Sequence, residues 1–504
     1  MSGFEKKNNR RVKQLIHTEE KPLKSLEEKV EEIKQGLFQT DDFKIRELTF
    51  NGKPLMILFI DSVIDNKNLQ SYIIKPINEK STGDLKYIIS VNSIIETNSI
   101  DEALNAMVDG HCAIMSEDET IYLVCMPKID EALNEPFNEK VIRGSHQGFS
   151  ESITKNIHFI RERISNPQVT VKYATVGETT KTKYALIYIS DLTDPELLNM
   201  IENRISYIKA DSIQSPGYFE EYLEDNSFSP FPQFLNTERP DRVAANLMEG
   251  RVGLVMEGSP TVLLFPVTFF SFLQTSEDYN NRSFISSFFR IVRLFSFIIA
   301  LCLPAFYIAV ISFNYEIIPV EIIFSIKSSL EYVPFPPLIE AMIMQLTLEL
   351  LREASIRLPN PIAQTIGVVG GLVIGTAVVE ANLVSNTMVI VVALTAISSF
   401  VIPSNELSTA LRILGFPLML MAAFFGIFGM VIGLMIILIH LIKLKSLGHH
   451  YLYPVAPLDI VRLLDTFIRV PIWMSRKRPG DLGVQYKWRA SSASRGWKKD
   501  EQAD

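Results

Sequence analysis

Residues 294–442 carry very few charges, and this stretch constrains the fold more than any other feature of the sequence. It contains 4 basic and 8 acidic residues in 149 positions, whereas residues 1–293 contain 33 basic and 43 acidic ones. About 20 consecutive apolar residues are enough for a helix to span a bilayer, and the uncharged runs here reach 22 residues or more. The sequence therefore predicts an all-α polytopic membrane domain, and it excludes a purely soluble enzyme.

About four membrane helices are predicted from the uncharged runs. The expected spans are residues 294–315, 358–379, 384–404 and 413–442. Arg282, Arg290 and Arg293 precede the first span, and Lys443 and Lys445 follow the last. Basic residues beside a span favour the cytoplasmic side, so an even number of spans with both terminal regions in the cytoplasm is expected.

The rest of the chain divides around this membrane domain. Residues 1–34 hold 9 basic and 7 acidic residues without an apolar run, so a secretory signal is not expected. Ser25 and Glu28 have the spacing of a helix capping box. The expected divisions are a charged N-terminal tail with a short helix at 1–40, an α/β unit and linker at 41–150, a second α/β unit at 151–268, the membrane domain at 269–442, and a basic cytoplasmic tail at 443–504.

An internal similarity indicates that the two α/β units are related. Residues 105–125 resemble residues 246–266, and Gly110 aligns with Gly250. Each copy has the pattern of a helix, a glycine cap, a strand, a tight acidic turn and a second strand. We call these regions front unit 1 and front unit 2.

The uncharged stretch at 258–276 has three possible interpretations. Its place in the internal repeat predicts a strand at 261–265, and this interpretation is favoured. A fifth span and a re-entrant hairpin remain alternatives, although Pro260 and Pro266 interrupt the stretch.

No pattern typical of catalysis or cofactor binding is found in the sequence. Gly370 and Gly375 have the spacing of a phosphate loop, but Thr376 follows instead of lysine. His449 and His450 lack further ligands at metal-site spacing. The front region has a net charge of −10, which disfavours nucleic acid, and the basic tail is suited to an anionic membrane surface. We expect neither an enzyme nor a cofactor.

Glycines in the apolar region predict close helix packing. Gly367, Gly371 and Gly375 are four residues apart and share one helix face, and Gly429 and Gly433 repeat the spacing. Such strips allow two helices to approach closely, within one subunit or between subunits.

A polar stripe on an apolar helix is the main candidate for a pore or gate. The helix expected at 337–356 carries Gln345, Glu349, Arg352 and Glu353 on one face. Such a stripe should face water, a partner or an ion path, because exposure to lipid is costly. The alternative is a self-satisfied network in which Glu349 meets Arg352 and Glu353 meets Arg357. Whether this helix lies within the bilayer remains open.

Two amide side chains extend the candidate site. Asn360 and Gln364 lie near one membrane face at the start of the second predicted span. Repeated around an oligomer axis, they would form a polar ring of the kind that lines conduction paths.

Long stretches of the chain resemble one known family. Residues 351–404, which include REASIRLPNPIAQTIGVVGGLVIGTAVVEANLVSN, look very much like the hallmark region of spore germinant receptor A subunits, the GerA family. The resemblance extends through residues 241–261, 276–294 and 451–470. Asn360 and Ala363 depart from the arginine and glycine associated with the family.

The resemblance implies a function that composition alone does not. It implies a protein of the spore inner membrane that acts with a transporter-like, nutrient-binding B subunit and a lipoprotein C subunit. It also implies a homo-oligomer, plausibly a pentamer, around a cation pathway that opens at germination. The alternatives are a non-conducting scaffold of the receptor complex and an accessory subunit related to stage V sporulation proteins, which would amplify ion release.

Overall fold

The fold is described from a computed structural model that places residues 25–80, 83–89, 93–116, 120–127, 134–359, 362, 371, 373 and 375–490. Helix α1 (Leu26–Gly36) comes first and has the expected capping box. The Ser25 hydroxyl accepts a hydrogen bond from the Glu28 N–H, and the Glu28 carboxylate accepts one from the Ser25 N–H. This reciprocal pairing satisfies amide groups that the first turn of a helix leaves unpaired.

Front unit 1 is built on one five-stranded antiparallel sheet. Its strands are β1 (Phe43–Phe50), β2 (Lys53–Ile60), β3 (Ile94–Thr97), β4 (His111–Met115) and β5 (Ile121–Cys125). Its helices are α2 (Asn66–Leu69), a π-helical turn (Gln70–Ile74), α3 (Lys75–Glu79), α4 (Leu85–Ile88) and α5 (Ile100–Val108). The strand order across the sheet is β1-β2-β4-β5-β3.

Front unit 2 has the same strand arrangement. Its strands are β6 (Val169–Val176), β7 (Thr182–Ile189), β8 (Leu235–Thr237), β9 (Val252–Met256) and β10 (Val262–Phe265). Its helices are α6 (Ile153–Arg163), α7 (Pro195–Ser206), α8 (Pro216–Leu223) and α9 (Pro240–Leu247). The order β6-β7-β9-β10-β8 matches that of front unit 1 strand for strand, so the internal similarity in sequence reflects a structural repeat.

Matching glycines mark the repeat in both units. Gly110 follows α5 with φ +98°, and Gly250 follows α9 with φ +95°. This backbone region is readily accessible only to glycine, which explains why the same residue stands at both helix ends. The ambiguous stretch at 258–276 contains strand β10 and a 3₁₀ turn (Phe269–Phe272), so the strand interpretation holds for this segment.

A fully buried ion pair joins the two front units. The Arg161 guanidinium donates from Nε to Asp42 Oδ2 at 2.7 Å and from Nη2 to Asp42 Oδ1 at 2.8 Å. Hydroxyls of Thr40 and Ser62 also donate to the Asp42 carboxylate. The bidentate geometry and the added hydrogen bonds compensate for removing both charges from water.

The C-terminal half is helical and ends in a short hairpin and tail. Its elements are α10 (Glu277–Asn280), α11 (Ser283–Phe313), a 3₁₀ turn (Tyr315–Ile317), α12 (Val320–Leu330), α13 (Pro337–Ile356), α14 (Asn386–Phe400), α15 (Asn405–Lys443), β11 (Lys445–Ser446), β12 (His449–His450) and α16 (Ile460–Phe467). Within the described residues, α11 and α15 are long and apolar enough to cross a membrane. The expected number of four spans therefore remains a prediction.

Helix α15, which contains the span predicted at 413–442, is not one straight segment. Gly426 interrupts the helix with φ 59° and ψ −144°, a conformation that is almost exclusive to glycine. A Cβ atom on Gly433 would lie 2.6 Å from Cδ1 of Leu418, although these residues would be about 22 Å apart along a straight helix. The two halves of α15 therefore pack against each other as a helical hairpin.

The hairpin packs beside α11, and its turn lies at the end of α11 away from the front units. A Cβ on Gly426 would lie 3.0 Å from Phe313 Cβ and 3.3 Å from the Asn314 side-chain oxygen. The buried core of front unit 2 continues without a break into α11, α14 and α15. Front unit 2 and the membrane helices therefore form one packed body.

Disulfide formation tests the hairpin directly. In a chain whose native cysteines are replaced by serine, Leu418→Cys with Gly433→Cys is expected to cross-link readily under mild oxidation, because a disulfide needs Cα atoms about 4–7 Å apart. The control pair, Leu418→Cys with Leu441→Cys, moves the second thiol eight residues, about 12 Å, along the helix. Equal cross-linking of both pairs, or of neither, would contradict the hairpin.

Candidate functional site

Helix α13 positions the predicted polar stripe against helices α14 and α15. Pro336 and Pro337 begin the helix, since proline fits the first helical positions without losing a needed hydrogen bond. One side of α13 packs on α14 and α15. Glu349 and Arg352 lie on that packed side, and Gln345 on the same face is buried, so three of the four stripe residues face the bundle.

A three-residue charge network is the centre of the site. Glu349 Oε1 lies 2.6 Å from Arg412 Nε on α15 and 3.9 Å from Arg352 Nη1 on α13 itself. The Arg412 side chain is only 11% exposed. One carboxylate is thus held between two guanidinium groups, and the network joins α13 to the first half of the α15 hairpin.

Hydroxyl groups extend the network to α14. Arg352 Nη2 donates to Ser399 Oγ at 3.1 Å, and Arg412 Nη1 donates to Ser408 Oγ at 3.0 Å. The Arg352 guanidinium also lies 4.6 Å from the centre of the Phe400 ring. These contacts bring three helices together around a polar centre in an otherwise apolar region, where such interactions are worth up to about 2 kcal/mol each.

The other two stripe residues have different surroundings. Glu353 pairs with Arg357 one turn further along α13, and both side chains are exposed. Gln345 is 6% exposed, and its side-chain oxygen has no hydrogen-bond partner within the described structure. The stripe therefore separates into a partly buried network, an exposed pair and a buried amide. Both ion pairs of the self-satisfied alternative are present, and the role of the stripe as a gate stays a prediction.

Glu340 is another polar residue of α13. It was not predicted as a site residue from the sequence. It is fully buried, and its Oε2 accepts a hydrogen bond from the Ser385 N–H at 2.9 Å, at the start of α14. Its Oε1 has no partner among the described atoms. The available signal was an acid within an apolar segment, which is by itself grounds for a functional hypothesis.

Arg412 was also missed, although it is one of only 4 basic residues in residues 294–442. A buried arginine needs a partner, and Glu349 was one of the acids to consider. The two residues are 63 positions apart, so only the helix packing brings them together.

The predicted glycine strips have contrasting environments. Gly429 and Gly433 make close approaches within the α15 hairpin. A Cβ atom on Gly371 or Gly375 would have no neighbouring atom within 4 Å, so neither glycine makes a close helix contact among the described residues. Asn360, Gln364 and Gly367 lie outside the described residues. Contact between subunits through the first strip therefore stays a prediction.

Polar contacts connect front unit 2 to the end of α15. Ser229 Oγ lies 2.8 Å from His440 Nε2 on the returning half of the hairpin. Just beyond α15, the Ser446 hydroxyl donates to the Gln233 carbonyl at 2.7 Å and accepts from the Val267 N–H at 3.1 Å. These contacts join front unit 2 to α15, the helix that carries Arg412.

The sequence matches the family described as Bacillus/Clostridium GerA spore germination protein over residues 31–481. The chain belongs to the GerA family. Its match covers both front units, the membrane helices and most of the tail.

Three relatives illustrate this GerA-family membership. The uncharacterized membrane protein YfkQ of Bacillus subtilis (strain 168) is 37% identical over 93% of this chain and 94% of its own length. Spore germination protein KA of the same organism is 34% identical over 94% of this chain and 89% of its own length. Spore germination protein A1, also from that organism, is 36% identical over 86% and 92%.

A comparison with solved structures gives a match to part of the chain. It is the crystal structure of the N-terminal domain of the A subunit of the Bacillus megaterium spore germinant receptor GerK3. It has a TM-score of 0.39 and 25% sequence identity, and it covers 49% of this chain and 99% of that domain. Taken with the full-length relatives, family membership supports a role as a subunit of a multi-subunit germinant receptor at a membrane.

A group of carboxylates lies where front unit 2 meets α15 in this GerA-family chain. Burial and the neighbouring Glu406 carboxylate raise the pKa of Glu220 to about 8. Burial and the Glu220 carboxylate raise the pKa of Glu224 to about 7. Glu220, Glu224 and Glu406 thus form a group of mutually repelling carboxylates.

This group makes stability depend on pH. Because the pKa of Glu220 is higher in the folded chain than the ordinary value near 4.3, the folded state binds more protons between about pH 4 and pH 8. Thermal stability of the detergent-solubilised chain is therefore expected to fall as the pH rises through this interval. Glu220→Gln should flatten the dependence, and Glu178→Gln, which changes an exposed carboxylate elsewhere, should not. A profile unchanged by Glu220→Gln would contradict the assignment.

Proposed function

We propose that this chain is the A subunit of a nutrient germinant receptor in the spore inner membrane, and that its membrane helices form part of an oligomeric cation pathway. In this proposal a transporter-like B subunit binds the nutrient, and a lipoprotein C subunit completes the receptor. Both terminal regions of the chain lie in the cytoplasm. The observation that carries the proposal is the charge network of Glu349, Arg352 and Arg412.

The location of this network is the reason for giving it a functional role. Ionisable groups among membrane helices are costly, and they usually mark ion paths or switches. Replacing such a network with packed apolar side chains is often neutral or stabilising, so stability alone is a weak reason to keep it. A switch that holds α13 against α15 accounts for the charges.

The proposed opening step breaks contacts between α13 and α15. In the closed arrangement, Arg412 neutralises Glu349. Nutrient binding to the B subunit would shift the equilibrium only if the bound B subunit favours the open arrangement, since a ligand acts through its different affinity for two states. Front unit 2 supplies a mechanical connection through Ser229 and His440. Freed from Arg412, the Glu349 carboxylate would attract cations into the path.

Assembly of several copies would complete the path. The open space over Gly371 and Gly375 is available for a helix of a neighbouring subunit, because glycine allows close approach. A ring of five subunits would bring Asn360 and Gln364 of each copy around one axis. A polar ring of this type can replace part of the hydration shell of an ion.

A non-conducting scaffold is the second candidate function. It is favoured by one observation: Glu349 is already neutralised by two arginines, as expected for a purely structural network. In that case the front units would hold the receptor together, and the B subunit would carry out all transport.

Two alanine variants on the same helix test the proposal in spores. Glu349→Ala is expected to change nutrient-triggered potassium release at least severalfold, because it removes the only acid of the network. Glu353→Ala is the matched control, since this acid lies one turn away in an exposed pair. Potassium release after nutrient addition is the measurement, with subunit levels checked by immunoblot. Equal release from wild type and Glu349→Ala at normal subunit levels would favour the scaffold.

A further inference from the structure

A cavity lies beside the N-terminal end of α11. It is separate from the charge network of Glu349, Arg352 and Arg412. It lies between front unit 2, α16 and the C-terminal tail, and its volume is about 380 Å³. Cavities of about 300–1,000 Å³ are the usual size for small-ligand sites. We call it the tail pocket. Its walls include Arg251 of front unit 2, Arg462 of α16, and Arg476 and Arg489 of the tail.

The tail pocket has an excess of positive charge. Five of its lining residues are basic and three are acidic. Within the described chain, the Arg476 guanidinium has neither an ion pair nor a hydrogen bond. Partial burial and the adjacent Arg489 charge lower the pKa of the nearby Arg478 guanidinium. Like charges held this close favour an anion between them.

A buried arginine offers unused hydrogen-bond donors at this site. Arg251 is 7% exposed, and its Nε has no partner among the described atoms. Its other contacts are long, at 3.3 Å from Nη1 to Ser271 Oγ and 3.7 Å from Nη2 to Glu249 Oε2. A buried donor without an acceptor is unfavourable, and a multi-oxygen anion would satisfy it.

The position of the tail pocket relates it to the membrane surface. Arg290 of α11 lies 3.8 Å from Asp465, which lines the pocket on α16. The long uncharged run of α11 begins only four residues later, at Leu294. Tyr279 and Trp488 supply aromatic walls, and such side chains are common where proteins meet the headgroup region.

We propose that the tail pocket binds a phosphate-bearing anion, held by Arg251, Arg476 and Arg489. Planar guanidinium groups match phosphate oxygens in bidentate geometry, which lysine cannot reproduce. The bound anion connects front unit 2 to the tail beside the N-terminal end of α11. An anionic phospholipid headgroup and a free phosphate compound share this chemistry, and binding measurements distinguish the two sources.

The test uses the full chain in nanodiscs. One set contains phosphatidylcholine only, and the other contains phosphatidylcholine with phosphatidylglycerol. Native mass spectrometry measures phosphatidylglycerol retained by the protein, and calorimetry measures pyrophosphate binding in the neutral discs. Selective retention of phosphatidylglycerol identifies a headgroup site, and pyrophosphate binding identifies a soluble phosphate site; either result supports the proposal. Binding of neither probe overturns it.

Matched arginine variants show whether binding is specific to the tail pocket. Arg476→Gln is expected to weaken binding about tenfold, the loss expected for one charge-assisted contact. Arg489→Gln serves as a second pocket variant. Arg282→Gln removes the same charge from an exposed position beside α11 and is expected to change binding less than twofold. Unchanged thermal unfolding of Arg476→Gln will exclude misfolding as the cause. Equal losses in Arg476→Gln and Arg282→Gln would overturn the proposal.

Discussion

Asp42→Ala is expected to weaken the packing of the two front units by about 3–5 kcal/mol, the cost of leaving one member of a buried ion pair without its partner. Both Asp42 and Arg161 are completely buried. Removing the carboxylate leaves the buried Arg161 guanidinium without its anionic partner. Nη1 of Arg161 already lacks a partner among the described atoms. The Thr40 and Ser62 hydroxyls lose an acceptor at the same time.

Hydrogen–deuterium exchange measures this effect locally. The amides of β1 and β6, which flank the pair, should exchange much faster in Asp42→Ala than in wild type. Glu202→Ala is the control, because it breaks an exposed ion pair of similar length, 2.6 Å between Lys172 Nζ and Glu202 Oε1. Exposed pairs contribute about 0–1 kcal/mol. Similar exchange in both variants would show that the buried pair does not hold the units together.

The second large effect is expected at the charge network of Glu349, Arg352 and Arg412. Arg412→Gln leaves Glu349 with Arg352 alone, at 3.9 Å. We expect this change to weaken the closed arrangement by about 1–2 kcal/mol, or about tenfold in the closed-to-open ratio. The spores should then release potassium without nutrient at a raised basal rate.

A charge exchange tests whether the two residues act through each other. The double variant Glu349→Arg with Arg412→Glu restores an opposite-charge pair and should recover most of the low basal release. The two single variants and the double variant form a cycle that isolates the pairwise energy. If the effects of the two single changes simply add in the double variant, then Glu349 and Arg412 do not form the proposed switch.

The repeat in the front region could be predicted because it depends on short segments of the sequence. The glycine after each helix is required by backbone conformation, and the strands beside it have alternating or continuous apolar patterns. Gly110 and Gly250 therefore identified equivalent positions without structural information. The favoured strand at 261–265 followed from the same comparison, although its composition alone also fitted a membrane span.

The helix reversal and the contacts that were not predicted depend on packing between residues far apart in the sequence. A glycine in an apolar run can pack a helix or reverse it, and the sequence around Gly426 does not distinguish the two outcomes. The partner of Glu349 was sought on its own helix, where Arg352 is three residues away. The structure adds Arg412 at 2.6 Å because the α15 hairpin packs against α13. Glu340 was overlooked because its contact with Ser385 also requires helix packing.

Potassium flux through the reconstituted receptor tests the central claim most directly. Proteoliposomes would contain this chain with its B and C subunits, or the B and C subunits alone, and flux would be recorded before and after addition of the germinating nutrient. We expect nutrient-dependent flux only when this chain is present, and a raised basal flux with Arg412→Gln. Equal nutrient-dependent flux without this chain would contradict a cation pathway formed by its helices.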